Sequence, residues 1–348
     1  MSGVPKISIC LPSLNTRPYL MERFQSIFDQ TFQDWELIVC DSFSDDGSWE
    51  LIQELAAKES RMRIYQTPRK GVYAGFNDCI ERARGDYIYI ATSDDTMSPE
   101  CLERMAAALE ANPDCGIAHC CLDFIDQQSR KVAGEHQWEQ WFSTRFFGEW
   151  NKKSHIRPRG HDTVLAMGLR SVYYSVTQLL IRRSLFAEAG LYETKWGPFG
   201  DLEWQMRAAL VTKTVHVPEY LATWRIHEKQ ASQMDQHIKA VRKGWFLEIA
   251  DSVIRFSRVK NLPFAGGLPT RLRRFYGMEW IGAKVSERKN VFGKLNVLFQ
   301  TLGADPTLTI SFLKERIETK IFHKQKDYEK ELRTELNLAG LNALLAVK

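Results

Sequence analysis

Between residues 6 and 124 the chain alternates short β-branched runs with stretches of helical spacing. The apolar runs fall at 6–11, 36–40, 62–66, 87–91 and 116–124, each of strand length. Between them, at 19–30, 48–58, 72–84 and 99–111, apolar positions recur every three or four residues. Repeated strand, helix, strand predicts right-handed crossovers and an α/β fold with a mainly parallel sheet covered by helices. Boundary residues agree. Ser48 with Glu50 close behind opens the second helical stretch, Ser98-Pro99-Glu100 opens the fourth, and Asn112-Pro113 closes it. A further strand is expected at 175–181 and a helix at 201–210, while 135–175 is aromatic and basic with little period (Trp138, Trp141, Phe142, Phe146, Phe147, Trp150). From about residue 235 the spacing is helical to the end.

In open α/β sheets, ligands bind beyond the carboxyl ends of the strands. The first run is followed by Pro12-Ser13-Leu14-Asn15, the second by Asp41 and the turn Ser42–Ser48, and the fourth by Thr92-Ser93-Asp94-Asp95. Three acid- or amide-bearing loops therefore converge on one edge. Adjacent carboxylates at a strand end suit a hard divalent cation, Mg²⁺ or Mn²⁺, bridging to phosphate, although an isolated Asp-Asp pair more often only caps the next helix. Asp41 is placed to accept hydrogen bonds from a ribose or base. The first loop has no glycine, which excludes the Gly-x-Gly-x-x-Gly fingerprint of a dinucleotide-dependent dehydrogenase.

Composition narrows the picture. Hydrophobic residues make up 44% and charged residues 26% of 348, as in ordinary globular proteins, and a net charge of +4 does not suggest a nucleic-acid partner. No apolar run approaches the roughly 18–20 residues of a membrane span, and residues 1–6 carry no signal-peptide pattern, so a cytoplasmic location is expected. None of the seven cysteines forms a Cys-x-x-Cys pair; Cys10 and Cys40 read as core. His119-Cys120-Cys121 looks like a soft-metal set, but neighbours on a strand face opposite ways.

The blocks Ile7–Asn15, Gln30–Asp41, Gly71–Asp78, Ala83–Ile88 and Ser93-Asp94-Asp95, in this order, resemble the opening of family 2 glycosyltransferases over residues 5 to about 125. The resemblance implies a GT-A type fold, with a mainly parallel Rossmann-like sheet flanked by helices and a mostly helical C-terminal extension. It places a glycosyltransferase domain at 1–234, divided into a nucleotide-sugar half (about 5–125) and an acceptor half (about 126–234), and a helical region at 235–348. It further implies that Pro12, Asn15, Asp41, Asn77 and Asp94 contact the donor and that Asp95 ligates the metal. Many members carry a second acid where this chain has Ser42. A UDP-sugar is favoured, with the base left open at that position.

Downstream, Trp196-Gly197-Pro198-Phe199-Gly200-Asp201-Leu202-Glu203-Trp204 resembles the family's acid-bearing loop, with Asp201 at the position of the catalytic base. Burial would raise the pKa of such a carboxylate while the helix N-terminus would lower it. Glu203, two residues along a helix, should point elsewhere. The segment from Trp224 to Ser232 resembles the family's Arg-x-His stretch. His227 is expected to ligate the metal or to hydrogen-bond a phosphate oxygen, and Arg225 to offset diphosphate charge.

The expected reaction is inverting transfer of a sugar from a nucleoside-diphosphate donor to a hydroxyl of a glycan or lipid-linked acceptor, in cell-surface polysaccharide or glycolipid synthesis. The alternative is a non-catalytic sugar- or partner-binding relative. Residues 259–348 hold 16 Lys and Arg against 9 Asp and Glu, mixed with apolar positions. That composition suits either a helical cap with a solvated basic side or peripheral contact with an anionic membrane face.

Overall fold

The computed structural model describes residues 3–132, 142–169, 172–228, 238–262, 267–321 and 328–347. The first third alternates as the spacing predicts: β1 (Ile7–Ser13), α1 (Arg17–Phe28), β2 (Trp35–Asp41), α2 (Ser48–Ala56), β3 (Met62–Gln66), α3 (Val72–Arg82), β4 (Tyr87–Ile90), α4 (Cys101–Ala111) and β5 (Cys115–Ile125). Then come α5 (Phe142–Phe147), β6 (His155–Arg157), α6 (His161–Leu169), β7 (Leu179–Arg182), α7 (Ser184–Ala189), α8 (Gly200–Val211) and β8 (Lys213–Arg225). Five helices follow, α9 (Ile238–Val259), α10 (Leu268–Ser286), α11 (Val291–Ala304), α12 (Pro306–Ile321) and α13 (Tyr328–Leu338), before a short β9 (Leu345–Ala346). Trp138, Trp141 and residues 229–232 lie outside the described residues.

The strands form one sheet in the order β3-β2-β1-β4-β7-β5-β8-β6-β9. β3, β2, β1 and β4 are parallel, as are β5 and β8. β7 lies antiparallel between β4 and β5, so the two parallel blocks are joined by a reversed strand. The strand expected at 175–181 is half that: Val176–Gln178 is a 3-10 turn closed by a capping box between Ser175 and Gln178. β6 and β9 close the far edge antiparallel, so the end of the chain returns to the sheet.

Alternation along the strands feeds two cores. Ile7, Ile9 and Leu11 of β1 bury against α1 and α4, together with Leu37 and Val39 of β2. Cys10, Ile38 and Cys40 face the other way, into a layer built from α3, α6, α8 and α9. All seven cysteines are buried. Within His119-Cys120-Cys121, Cys120 and Cys121 both join the first core, while His119 and the Cys121 sulfur also approach His216 on β8.

The helix starts differ from the sequence expectation in their caps. α4 begins after Ser98, but its buried N–H at Leu102 is satisfied by Gln30 Oε1 at 3.0 Å, and the Ser98 hydroxyl is unpartnered. Gln30 also donates to Ser98 O at 2.7 Å, which ties the end of α1 to the start of α4. At α2 the cap comes from Asp46, whose carboxylate accepts from Ser48 N at 3.0 Å.

Candidate active site

In the sheet β2, β1 and β4 are consecutive, with Ser13 in register with Asp41 and Cys10 with Ile90. The three polar loops therefore share one edge. Asn15 adopts φ 53°, a left-handed conformation that Asn tolerates. Its side-chain amide donates to Asp45 Oδ1 at 2.9 Å and accepts from Asp45 N at 3.0 Å, binding the first loop to the second. Asp41 is fully buried, and its two oxygens accept from Ser44 N at 2.8 Å and Ser44 Oγ at 2.6 Å. The expected Asp41 contact to a base therefore competes with a turn that Asp41 itself holds. Arg69, which the sequence reading passed over, donates to the carbonyls of Ser42 and Phe43 and pairs with Asp45 at 3.3 Å. Its only sequence signal is a basic pair, Arg69-Lys70, just before α3.

Pro12 touches α3. A Cβ placed on Gly75 would lie 3.0 Å from Pro12 Cβ, so a small residue is needed where this helix crosses β1. Asn77, two residues farther along α3, is engaged within the protein. Its amide donates to Tyr192 O at 2.8 Å and accepts from Tyr192 N at 3.0 Å. An Asn satisfies a backbone N–H and C=O at once, which accounts for its identity without a ligand.

The end of β4 carries the acidic pair, and the long β8 reaches it from across the sheet. Asp95 is buried: it accepts from Arg225 N at 2.8 Å, from the Thr92 hydroxyl and, more weakly, from Ser175 Oγ at 3.4 Å. Burial, then the charge of Asp94, pushes its pKa up to about 7. Asp94 faces outward, its side chain 23% exposed, with Oδ2 3.1 Å from His227 Nε2. The two acids thus have different environments: Asp95's oxygens are engaged inside the protein, whereas the partly exposed Asp94 meets the buried His227.

Arg225 is tied into the protein around the acidic pair. Its guanidinium is 1% exposed and spans three elements: Nε donates to Asp94 O at 2.7 Å, Nη1 to Asp126 O at 3.0 Å and Ser129 Oγ at 2.8 Å, and Nη2 to Glu22 at 2.6 Å. Tyr19 lies under it, 5.0 Å from ring centroid to guanidinium, and also meets the His227 ring at 4.9 Å. Through these contacts Arg225 holds the loop after β4. Glu22 and Tyr19, both on α1, carried no separate signal in the sequence.

Asp201 opens α8. The preceding Gly200 presses on α3, since a Cβ there would come 2.6 Å from the Tyr73 ring. Tyr73 donates to Pro198 O at 3.3 Å and is a hydrogen-bonding neighbour of the Asp201 carboxylate. Asp201 Oδ1 also accepts from Leu202 N at 2.7 Å. Of the two opposed effects, burial wins and the pKa of Asp201 is raised. Glu203 points inward: it is fully buried and bridged to Arg207 at 2.8 Å, which leaves Asp201 as the acid at this helix start. Contacts through Pro12, Gly75, Tyr73 and Gly200 link Asp201 to the end of β1.

Among the described residues no group of three or more His, Cys, Asp or Glu is placed to hold a metal ion. Asp94 and His227 supply one carboxylate oxygen and one imidazole nitrogen. That donor set suits a cation whose remaining positions are filled by phosphate and water.

Residues 8–176 match the model of Glycosyl transferase family 2. The chain is 37% identical over 112 residues to the putative glycosyltransferase EpsE of Bacillus subtilis (strain 168), covering 32% of this chain and 40% of that protein. It is 27% identical over 138 residues to chondroitin synthase of Escherichia coli, covering 40% and 20%. The chain therefore spans less than half the length of these two relatives. S. aureus TarS 1-349, solved in complex with UDP-GlcNAc, superimposes with a TM-score of 0.64 at 14% identity, over 99% of this chain and 97% of that one. A mannosyltransferase from Pyrobaculum calidifontis, solved with GDP-Man and Mn²⁺, gives 0.54 at 15%, over 98% and 88%. These likenesses show the same GT-A arrangement of sheet and helices. With the family match over residues 8–176 and the motif blocks in order, this part of the chain is of the family 2 glycosyltransferase type.

Proposed function

We propose that this chain transfers a sugar from a nucleoside-diphosphate donor, with a UDP-sugar favoured, to a hydroxyl of a glycan or lipid-linked acceptor, with inversion, in polysaccharide or glycolipid synthesis. The observation that carries the reading is the pair formed by the partly exposed Asp94 and the buried His227, 3.1 Å apart just beyond the ends of two strands, with Asp201 held separately on α8. Homologues named for polysaccharide synthesis and the nucleotide-sugars bound by the structural neighbours support it. Residues 1–234 form the transferase domain in this reading, with the donor half near 5–125 and the acceptor half near 126–234, and 235–348 form a helical cap.

Asp94 and His227 would hold a Mn²⁺ or Mg²⁺ ion, which supplies Lewis-acid stabilisation of the departing diphosphate when bound. Asp95 and Arg225 fix the backbone that presents Asp94. Pro12, Asn15, Asp41 and Arg69 shape the edge that receives the nucleoside. Asp201 takes the proton of the acceptor hydroxyl as its oxygen attacks the anomeric carbon and the bond to the diphosphate breaks. The raised pKa of Asp201 suits a base, and one base on the acceptor side gives inversion.

The test is a panel of nucleotide-sugars assayed for Mn²⁺-dependent hydrolysis and transfer. At least one donor is expected to turn over, and Asp94→Asn to abolish it. Failure of every donor, with Asp94→Asn binding nucleotide no differently from wild type, would favour a non-catalytic sugar-binding role.

A further inference from the structure

Helix α11 is apolar on two sides. Val297, Thr301 and Leu298 face inward, toward the small core that α10 and α12 form with Met278, Ile281, Leu308 and Phe312. On the outer side Val291 (69% exposed), Phe292 (85%), Leu295, Phe299 (68%) and Leu302 stand in solvent. At about 100° per residue these five form a single stripe, about 150° around the helix from Val297 and Thr301 and about 16 Å long. α12 repeats the arrangement: Leu308, Thr309 and Phe312 are buried, while Ile310, Leu313 and Ile317 are exposed, about 130° away. The two helices pack on each other and on α10. Exposed apolar positions at this density, on adjoining helices, are a docking surface rather than scattered surface residues.

The charges beside the stripes select the occupant. Between residues 287 and 318 the exposed ionic side chains are Arg288, Lys289, Lys294, Lys314 and Arg316 against Glu287 alone; Asp305, Glu315 and Glu318 are partly buried. A second copy of this chain meeting the same face would bring these cations against one another. An anionic phospholipid layer complements them, with acyl chains receiving the stripes and lysine stems extending back to the headgroups. No helix among the described residues is long and apolar enough to cross a membrane, so the contact is peripheral. We propose that the outer faces of α11 and α12 dock this protein on an anionic membrane surface, with Phe292 and Phe299 as the inserted anchors. This inference is independent of the transferase reading, and its test needs no donor.

The test is flotation of the full chain with phosphatidylcholine vesicles, with and without phosphatidylglycerol. Wild type is expected to float only with the anionic vesicles, and to release as salt is raised. The double variant Phe292→Ser, Phe299→Ser is expected to bind at least about tenfold more weakly. Its melting temperature should be unchanged, because both rings are exposed. Leu338→Ser, an exposed leucine on α13, should bind as wild type does. Wild type that fails to float, or a double variant that floats equally well, overturns the proposal. So does a chain that binds no lipid but is a dimer dissociated by the double variant, because that assigns the face to a second copy.

Discussion

The main-chain N–H of Arg225 donates to the Asp95 carboxylate at 2.8 Å, while the guanidinium of the same residue reaches the carbonyl of Asp94 at 2.7 Å. One residue at the end of β8 thus grips both members of the acidic pair at the end of β4, turning Asp95 inward and leaving the Asp94 side chain to His227.

Removing the Asp95 carboxylate should therefore damage the fold first. Asp95→Ala leaves the Arg225 N–H without its acceptor inside the protein and is expected to cost about 1–3 kcal/mol. Asp95→Asn keeps an acceptor and should cost less. Because the folded pKa of Asp95 is raised to about 7, its contribution to stability is present below the ordinary carboxylate pKa and lost as pH rises through 7. Denaturant melts of both variants and wild type from pH 5 to 8, without divalent cation, measure this. The variants should lie closer to wild type at pH 8 than at pH 5.

Asp94→Asn should do the opposite, sparing stability and removing activity; His227→Ala should also remove activity, with some loss of stability because its ring is buried against Tyr19. Asp94 is partly exposed and its partner is the histidine, so the thermal melt of Asp94→Asn should move little. Transfer should fall by on the order of 10²–10³, and the midpoint for Mn²⁺ activation should rise. A titration of activity against Mn²⁺ for each variant decides whether Asp94 or Asp95 is the ligand.

Asp201→Asn keeps the acceptor for Leu202 N and so preserves the start of α8. Loss of the base should lower kcat by about 10²–10⁴ with the donor KM little changed. In wild type, activity should rise with pH through a pKa above the ordinary aspartate value, since the carboxylate form is the base. Tyr73→Phe removes the neighbouring hydroxyl and should move that limb upward, because Tyr73 lowers the Asp201 pKa.

Three histidines stand side by side across β5, β8 and β6, where His119 is in register with His216 and His216 with His155. Burial and the Arg157 charge near them hold all three below the usual histidine pKa, His155 at about 4 and His216 at about 3. The unfolded chain binds these protons more readily, so stability is fully present above pH 6.5 and lost as pH falls toward 4. Thermal melts from pH 7.5 to 4.5 should show a steady decline, which His216→Phe is expected to flatten.

Much of this was legible without coordinates. The parallel block β3-β2-β1-β4 follows from period-two and period-3.6 patterns, because a strand or helix facing a core must repeat its apolar residues at its own period. Asp41, Asp94 and Asp201 stand where strand ends and a helix start put them. Tertiary contacts decided the rest. Asp94 and Asp95 are neighbours with the same chemistry; only β8, arriving 130 residues later, determines which one turns inward. Arg225 looks like a phosphate contact in the sequence, and only the fold shows Glu22, 203 residues away, closing on it. Asn77 matches a donor position, and only the fold shows Tyr192 taking both ends of its amide. β7 enters the sheet reversed because its 3-10 turn and its partners on β4 and β5 set its direction. The outer stripes of α11 and α12 belong with these. Apolar spacing predicts amphipathic helices, but only packing shows that a second apolar side is left uncovered, since period alone does not reveal which face a helix buries.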